Sequence, residues 1–192
     1  MNQPRLKWTC LLIVFLATGP QRVAPAAQGT TSGPHIVIII RHAEKPTDSG
    51  DSNLSNIGYE RADALAKVIP EHFPKPDFLF ATKKSKSSNR PVETITPLGK
   101  ALGEPINSSF KDDDVTQLAH AVLTERKYAG QVVLIAWHHE KIPALAKALG
   151  VEDAPAKWNS TVFDRVWEIT YDDGAATFKD LPEEALPGDS TK

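Results

Sequence analysis

Apolar residues fall along this chain in two rhythms. In three places they run without a break: Ile36-Val37-Ile38-Ile39-Ile40 within residues 35–41, Phe78-Leu79-Phe80-Ala81, and Val132-Val133-Leu134-Ile135-Ala136-Trp137. Short unbroken apolar runs fit strands covered on both faces, the habit of parallel sheets. Between them the spacing turns helical. Ile57, Arg61, Leu65, Val68 and Ile69 follow Ser55, a candidate N-cap, and Pro70 and Pro74 are expected to end that helix. Residues 91–102 read as a second helix, with Pro91 in its first turn, Gly103 as its stop and Pro97 as an expected kink. Val115, Leu118, Ala119, Val122 and Leu123 mark a third, behind the acids Asp112-Asp113-Asp114 that a helix dipole favours. Residues 142–149 form a fourth, closed by Gly150.

Residues 106–110 are expected as a short edge strand, and residues 165–179 as a hairpin about Asp172-Asp173-Gly174. Strands alternating with helices predict a three-layer α/β/α sandwich with a mostly parallel sheet and a C-terminal hairpin. One domain is expected over residues 35–182. Residues 27–34 are a Gly/Thr/Ser-rich lead-in, and the polar residues 183–192 an expected disordered tail.

The N-terminus follows neither rhythm. Arg5 and Lys7 precede an apolar core over residues 8–17, and Ala24-Pro25-Ala26-Ala27 supplies small residues beyond it. That order predicts a secretory signal peptide over residues 1–26, cleaved after Ala26, with Ala27 or Gly19 as alternatives. The run is shorter than the roughly 18–20 residues that span a bilayer, which disfavours a retained anchor. The expected product is exported, periplasmic or secreted.

Composition narrows the chemistry. Cleavage leaves 166 of the 192 residues and removes Arg5, Lys7 and Arg22, so 19 basic residues face 24 acidic ones, a net charge of −5. Such a chain is not expected to bind nucleic acid or an anionic membrane. Cys10, the single cysteine, leaves with the signal. The mature protein therefore has no disulfide, thiol catalysis or cysteine–zinc site.

In an open α/β sheet, ligands bind beyond the carboxyl ends of the strands. There the chain carries Arg41-His42, Asn89-Arg90-Pro91-Val92-Glu93-Thr94, and Trp137-His138-His139-Glu140. A phosphate monoester dianion needs fixed positive donors and a nucleophile aimed at phosphorus. Guanidinium groups such as Arg41 and Arg90 bind two phosphate oxygens at once. A neutral imidazole attacks to form a phosphohistidine that water cleaves. No cofactor or metal is required, and the histidine pair lacks a carboxylate at metal-ligand spacing. The basic loop residues Lys83, Lys84 and Lys86 could attract a second anionic group. The expected partner is a small phosphorylated substrate.

These motifs resemble the histidine phosphatase superfamily, which includes phosphoglycerate mutases and histidine acid phosphatases. Arg41-His42-Ala43 is similar to the family's Arg-His-Gly after the first strand. Arg90 precedes Glu93-Thr94 as the family's arginine precedes a Gln/Glu-Thr pair. Leu54-Ser55-Asn56-Ile57-Gly58-Tyr59-Glu60-Arg61-Ala62 resembles the family's Leu-Ser/Thr-x-x-Gly-x-x-Arg/Gln-Ala helix start. The resemblance implies His42 as nucleophile, Arg41 and Arg90 as phosphoryl ligands, and a second catalytic histidine. His139 is preferred over His138 on strand alternation and on the match of Trp137, His139, Ile142 and Pro143 to small-subfamily members. The proton donor is open, with Glu140 first and Asp114 second. Ala43 in place of glycine keeps an alternative in view, a non-catalytic module that binds phosphoryl ligands on the same fold.

Overall fold

The computed structural model describes residues 33–47 and 50–191. The expected signal peptide lies outside the described residues. Among those described, no helix is long and apolar enough to cross a membrane.

The elements are β1 (Ile36–Arg41), α1 (Asn56–His72), β2 (Phe78–Ala81), α2 (Arg90–Leu102), β3 (Ile106–Asn107), α3 (Val115–Thr124), a 3-10 turn (Arg126–Tyr128), β4 (Val132–Trp137), α4 (Ile142–Ala148), β5 (Arg165–Asp172) and β6 (Ala175–Pro182). They form one sheet in the order β3-β2-β4-β1-β5-β6. β1 to β4 pair parallel, and β5 and β6 complete the sheet antiparallel. The α/β sandwich with its C-terminal hairpin is the one the pattern predicts.

The unbroken apolar runs are explained by two cores. Val37, Ile39, Val133, Ile135 and Trp137 face α3 and α4 through Leu118, Val122, Leu145 and Leu149, joined by Trp158 and Trp167. The alternate residues Ile36, Ile38, Ile40, Leu134 and Ala136 face α1 and α2 through Leu65, Ile69, Ile95 and Leu98. Successive strand residues point to opposite faces, so a strand buried on both has no position for a polar residue.

Three boundaries differ from expectation. α1 continues through Pro70 to His72, where the Phe73 amide closes it on the Ile69 carbonyl at 3.0 Å. A proline so near the end forfeits one helical hydrogen bond and leaves the rest intact. β3 is only two residues long. The tail is the larger correction. Glu183 is 1 % exposed, and its carboxylate accepts from Arg61 Nη1 at 2.7 Å. Asp189 caps the Ala185 and Leu186 amides at 2.9 Å each and pairs with Arg61 at 2.8 Å. The segment looked loose because its partner, Arg61, lies 122 residues earlier.

Candidate active site

Parallel pairing of β1 with β4 places Arg41 opposite Trp137, and the His42 amide donates to the Trp137 carbonyl at 3.0 Å. The residues after these two are His42 and His138. Their rings meet edge to face with centroids 5.3 Å apart. The register thus brings His138, rather than the preferred His139, against His42. Alternation was applied along β4, but the in-register exit of two strands decides which histidine stands beside His42.

His42 is 3 % exposed, and its Nδ1 lies 2.7 Å from the Ala43 carbonyl. A carbonyl only accepts, so Nδ1 carries the proton and Nε2 is the bare nitrogen. Burial, aided by His138, Arg41 and Arg90, depresses its pKa to about 3. The imidazole is neutral at physiological pH, with the lone pair of Nε2 uncommitted.

Arg41 is buried under the loop before β5. Its Nη1 donates to the carbonyls of Ser160 and Val162 at 2.8 Å each, and to that of Asn159 at 3.4 Å. Its guanidinium carbon lies 3.7 Å from the centroid of the Phe163 ring. One edge of the fork is thus held by protein, and the group still borders the cavity described below. Burial lowers its pKa to about 10, which leaves it charged at neutral pH. Arg90 opens α2. Its Nη1 donates to the Asp51 carbonyl at 3.0 Å, while its buried Nε has no partner among the described residues.

The remaining motif residues brace this site. Thr94 Oγ1 donates to the Arg90 carbonyl at 2.8 Å and accepts from the Ala43 amide at 2.9 Å. Glu93 accepts from the Leu54 amide at 2.9 Å. Together they pin the loop after β1 to the start of α2. Ser55 caps the Gly58 amide at 3.1 Å, and its own amide donates to the Glu44 carbonyl at 3.0 Å. A Cβ on Gly58 would stand 2.3 Å from that Glu44 carbonyl, so the close approach requires glycine. Arg61 grips the Glu44 carboxylate at 2.9 to 3.1 Å. Ala43 packs with Leu54 and Ala62. Asp173 and Glu184 are the non-glycine residues with positive φ among those described, so alanine at 43 carries no left-handed strain.

His138 is held at both nitrogens. Nδ1 lies 2.8 Å from Asp112 Oδ1, and Nε2 lies 3.0 Å from Ser88 Oγ. The carboxylate fixes the tautomer with the proton on Nδ1 and leaves Nε2 to accept from the Ser88 hydroxyl. Asp112 and Ser88 were not anticipated. The acid run was read as a helix start, and nothing in the local pattern singles out one serine among three. Only a partner for a strand-end histidine would have picked out Asp112.

A cavity of about 610 Å³ gathers Arg41, His42, Arg90, His138, His139 and Glu140, with Lys83 and Lys84 on its wall. Lys45, Lys111, Asp112, Asp113 and Ser88 line it as well. Lys86 and Asp114 do not. Asp114 instead precedes α3 and accepts from the Lys111 amide at 2.8 Å, the helix-start role that its position before the third helix predicts. His139 has its pKa lowered by burial and by Arg41. Among the described residues, no group of three or more His, Cys, Asp or Glu could hold a metal ion.

No family model matches the chain, and no curated protein matches it in sequence. Solved structures do match. The protein histidine phosphatase SixA complexed with tungstate is 18 % identical, with a TM-score of 0.56 over 77 % of this chain and 97 % of that one. A mycobacterial glucosyl-3-phosphoglycerate phosphatase with inorganic phosphate is 14 % identical, with a TM-score of 0.55 over 76 % and 95 %. A histidine-to-alanine variant of a phosphoserine phosphatase from Entamoeba histolytica, in complex with phosphoserine, is 12 % identical, with a TM-score of 0.57 over 79 % and 99 %. The chain shares its fold with these three structures.

Proposed function

We propose that this protein is a phosphatase that hydrolyses phosphate monoesters or phosphoramidates through a phosphohistidine on His42. The observation that carries the reading is the state of His42. Its Nδ1 proton is committed to the Ala43 carbonyl, its Nε2 is unprotonated, and it stands beside His138 in a cavity with two arginines. The likeness in fold to enzymes named as phosphatases supports it.

In the first step the Nε2 lone pair attacks phosphorus. The N–P bond forms as the bond to the leaving group breaks. The ring becomes cationic, and its Nδ1–H then donates more strongly to Ala43. Arg41, Arg90 and His138 stabilise the charge on the equatorial oxygens, which requires His138 to take up a proton at Nε2 in place of the Ser88 bond. Glu140 gives the leaving oxygen or nitrogen its proton and then draws one from the water that cleaves the N–P bond, restoring His42 and releasing phosphate. The signal-like sequence of residues 1–26 supports an exported phosphatase.

The test is intact mass after mixing the mature protein with reactive phosphate monoesters and phosphoramidates in a chelator, followed by an alkaline quench. One phosphoryl group on the wild type, mapped to His42 and absent from His42→Ala, is expected. Phosphate binding with no adduct and no turnover would establish the non-catalytic binding module instead.

A further inference from the structure

The cavity is more cationic than one phosphoryl group requires. Six cations line it, Arg41, Lys45, Lys83, Lys84, Arg90 and Lys111, against the carboxylates Asp112, Asp113 and Glu140. Two of those carboxylates are already engaged, Asp112 by His138 and Asp113 by Lys141. Among the described residues, none of the four lysines forms an ion pair. The chain as a whole is net negative, so this concentration of positive charge is local.

Backbone bonds build the wall that carries three of them. The Lys83 amide donates to the Phe110 carbonyl at 2.6 Å, which joins the loop after β2 to the segment bearing Lys111. The loop is then closed on itself. The Ser85 amide donates to the Ser88 carbonyl at 3.0 Å, and the Ser88 amide to Ser85 Oγ at 3.1 Å. This turn leaves Lys83 and Lys84 on the cavity and Lys86 off it. Ser88 also touches His138, so the lysine wall and the phosphoryl site share a residue. The volume, about 610 Å³, lies in the range of pockets that enclose a whole small molecule.

We infer that Lys83, Lys84 and Lys111 form a second-anion subsite, and that the substrate is a small phosphomonoester carrying a further phosphate or carboxylate group. This rests on the phosphatase reading of the same cavity. The first anion is held by Arg41, Arg90 and His138, and the second crosses to the lysine wall. Lys45, on the loop after β1, adds to the field from another element. Ammonium groups on flexible stems suit an anion whose exact position varies, whereas the scissile group is held by guanidinium forks.

The test separates binding from turnover. Propane-1,3-diyl bisphosphate and propyl phosphate are titrated calorimetrically into full-length His42→Ala protein, then offered as substrates to the wild type. The bisphosphate is expected to bind about tenfold tighter, a gain that falls with salt. The triple change of Lys83, Lys84 and Lys111 to Ala is expected to erase that gain, whereas Lys100→Ala, which removes a charge on α2, is expected to keep it. A gain that survives the triple change, or no gain at all, overturns the subsite even if both esters are hydrolysed. A gain that the triple change erases, with neither ester hydrolysed, upholds the subsite and counts against the phosphatase reading.

Discussion

His42 and His138 meet edge to face, 5.3 Å between ring centroids, because β1 and β4 leave the sheet in register. Asp112 and Ser88 hold the second ring from its far side. Replacing His138 by Ala is therefore expected to lower kcat on an aryl phosphate by about 10²–10⁴, the range for loss of a positioned proton-bearing group. His139→Ala is expected to cost far less, since among the described residues no hydrogen bond fixes its ring. Equal losses in the two variants, or a larger loss at His139, would reinstate the preference drawn from alternation.

The protonation of His42 is separately measurable. Its folded pKa, about 3, lies below the ordinary histidine value of 6.5. Between those values the unfolded chain binds a proton that the folded chain refuses. His42 therefore makes stability fall as pH drops from 6.5 towards 3. Nitrogen-15 spectra of the imidazoles are expected to show His42 with a proton on Nδ1 alone, without titration between pH 8 and 4. A midpoint near 6.5 would contradict the buried, neutral nucleophile.

Arg41 combines two tasks that lysine cannot. Its fork binds three carbonyls on one edge and stacks on Phe163, while its charge borders the cavity. Arg41→Lys keeps the charge and loses the planar fork. A loss of about 10²–10³ in kcat/KM is expected, the scale of removing one preorganised transition-state donor. Wild-type kinetics in this variant would show that charge alone suffices.

Much of this was legible before the fold was known, for reasons that differ by residue. The unbroken runs at β1, β2 and β4 announced two-sided burial, because only a strand covered on both faces tolerates no polar position. Arg41, His42 and Arg90 were legible because strand ends and helix starts put side chains at one edge of a parallel sheet. What the local pattern did not carry depended on pairings distant in sequence. His138 needed the β1–β4 register, Asp112 needed His138, and Phe163 needed Arg41. Glu183 and Asp189 looked like solvated tail until Arg61 was placed beside them. The helix-start motif around Gly58 was recognised as a pattern, and the structure supplies its physical content.

Gly58 is where that content is most easily tested. A methyl group there would meet the Glu44 carbonyl at 2.3 Å, and backbone cannot swing aside as a side-chain tip can. Gly58→Ala normally gains helix propensity. Here it is expected to destabilise by about 1–3 kcal/mol, the usual cost of overpacking. It is also expected to slow turnover, because Glu44 follows His42 by two residues. Chemical denaturation and aryl phosphate hydrolysis on the same preparation check both.

Arg61 holds three carboxylates, Glu44, Glu183 and Asp189, at 2.7 to 2.9 Å. One guanidinium cannot neutralise three charges, and the most buried of the three, Glu183, bears the excess. Its Oε2 is buried without a partner among the described residues. Desolvation outweighs the attraction of Arg61 and raises its pKa to about 8. Asp189, with two amides and the guanidinium, is shifted down. Glu183 thus keeps its proton to a higher pH than an ordinary carboxyl, and its sign follows from linkage. Between the ordinary carboxyl value of 4.5 and about 8, the folded chain holds a proton that the unfolded chain has released. Stability contributed by this group is present at acid pH and lost as pH rises through that window. His42 acts in the opposite sense below 6.5, so the two together set a maximum on the mildly acid side of neutrality. Glu183→Gln, which keeps the shape and cannot ionise, is expected to flatten the decline between pH 6.5 and 8 in denaturant unfolding. Arg61→Met is expected to cost about 3–5 kcal/mol, the penalty for stranding buried charges. An unchanged decline in Glu183→Gln would place the proton elsewhere in the cluster.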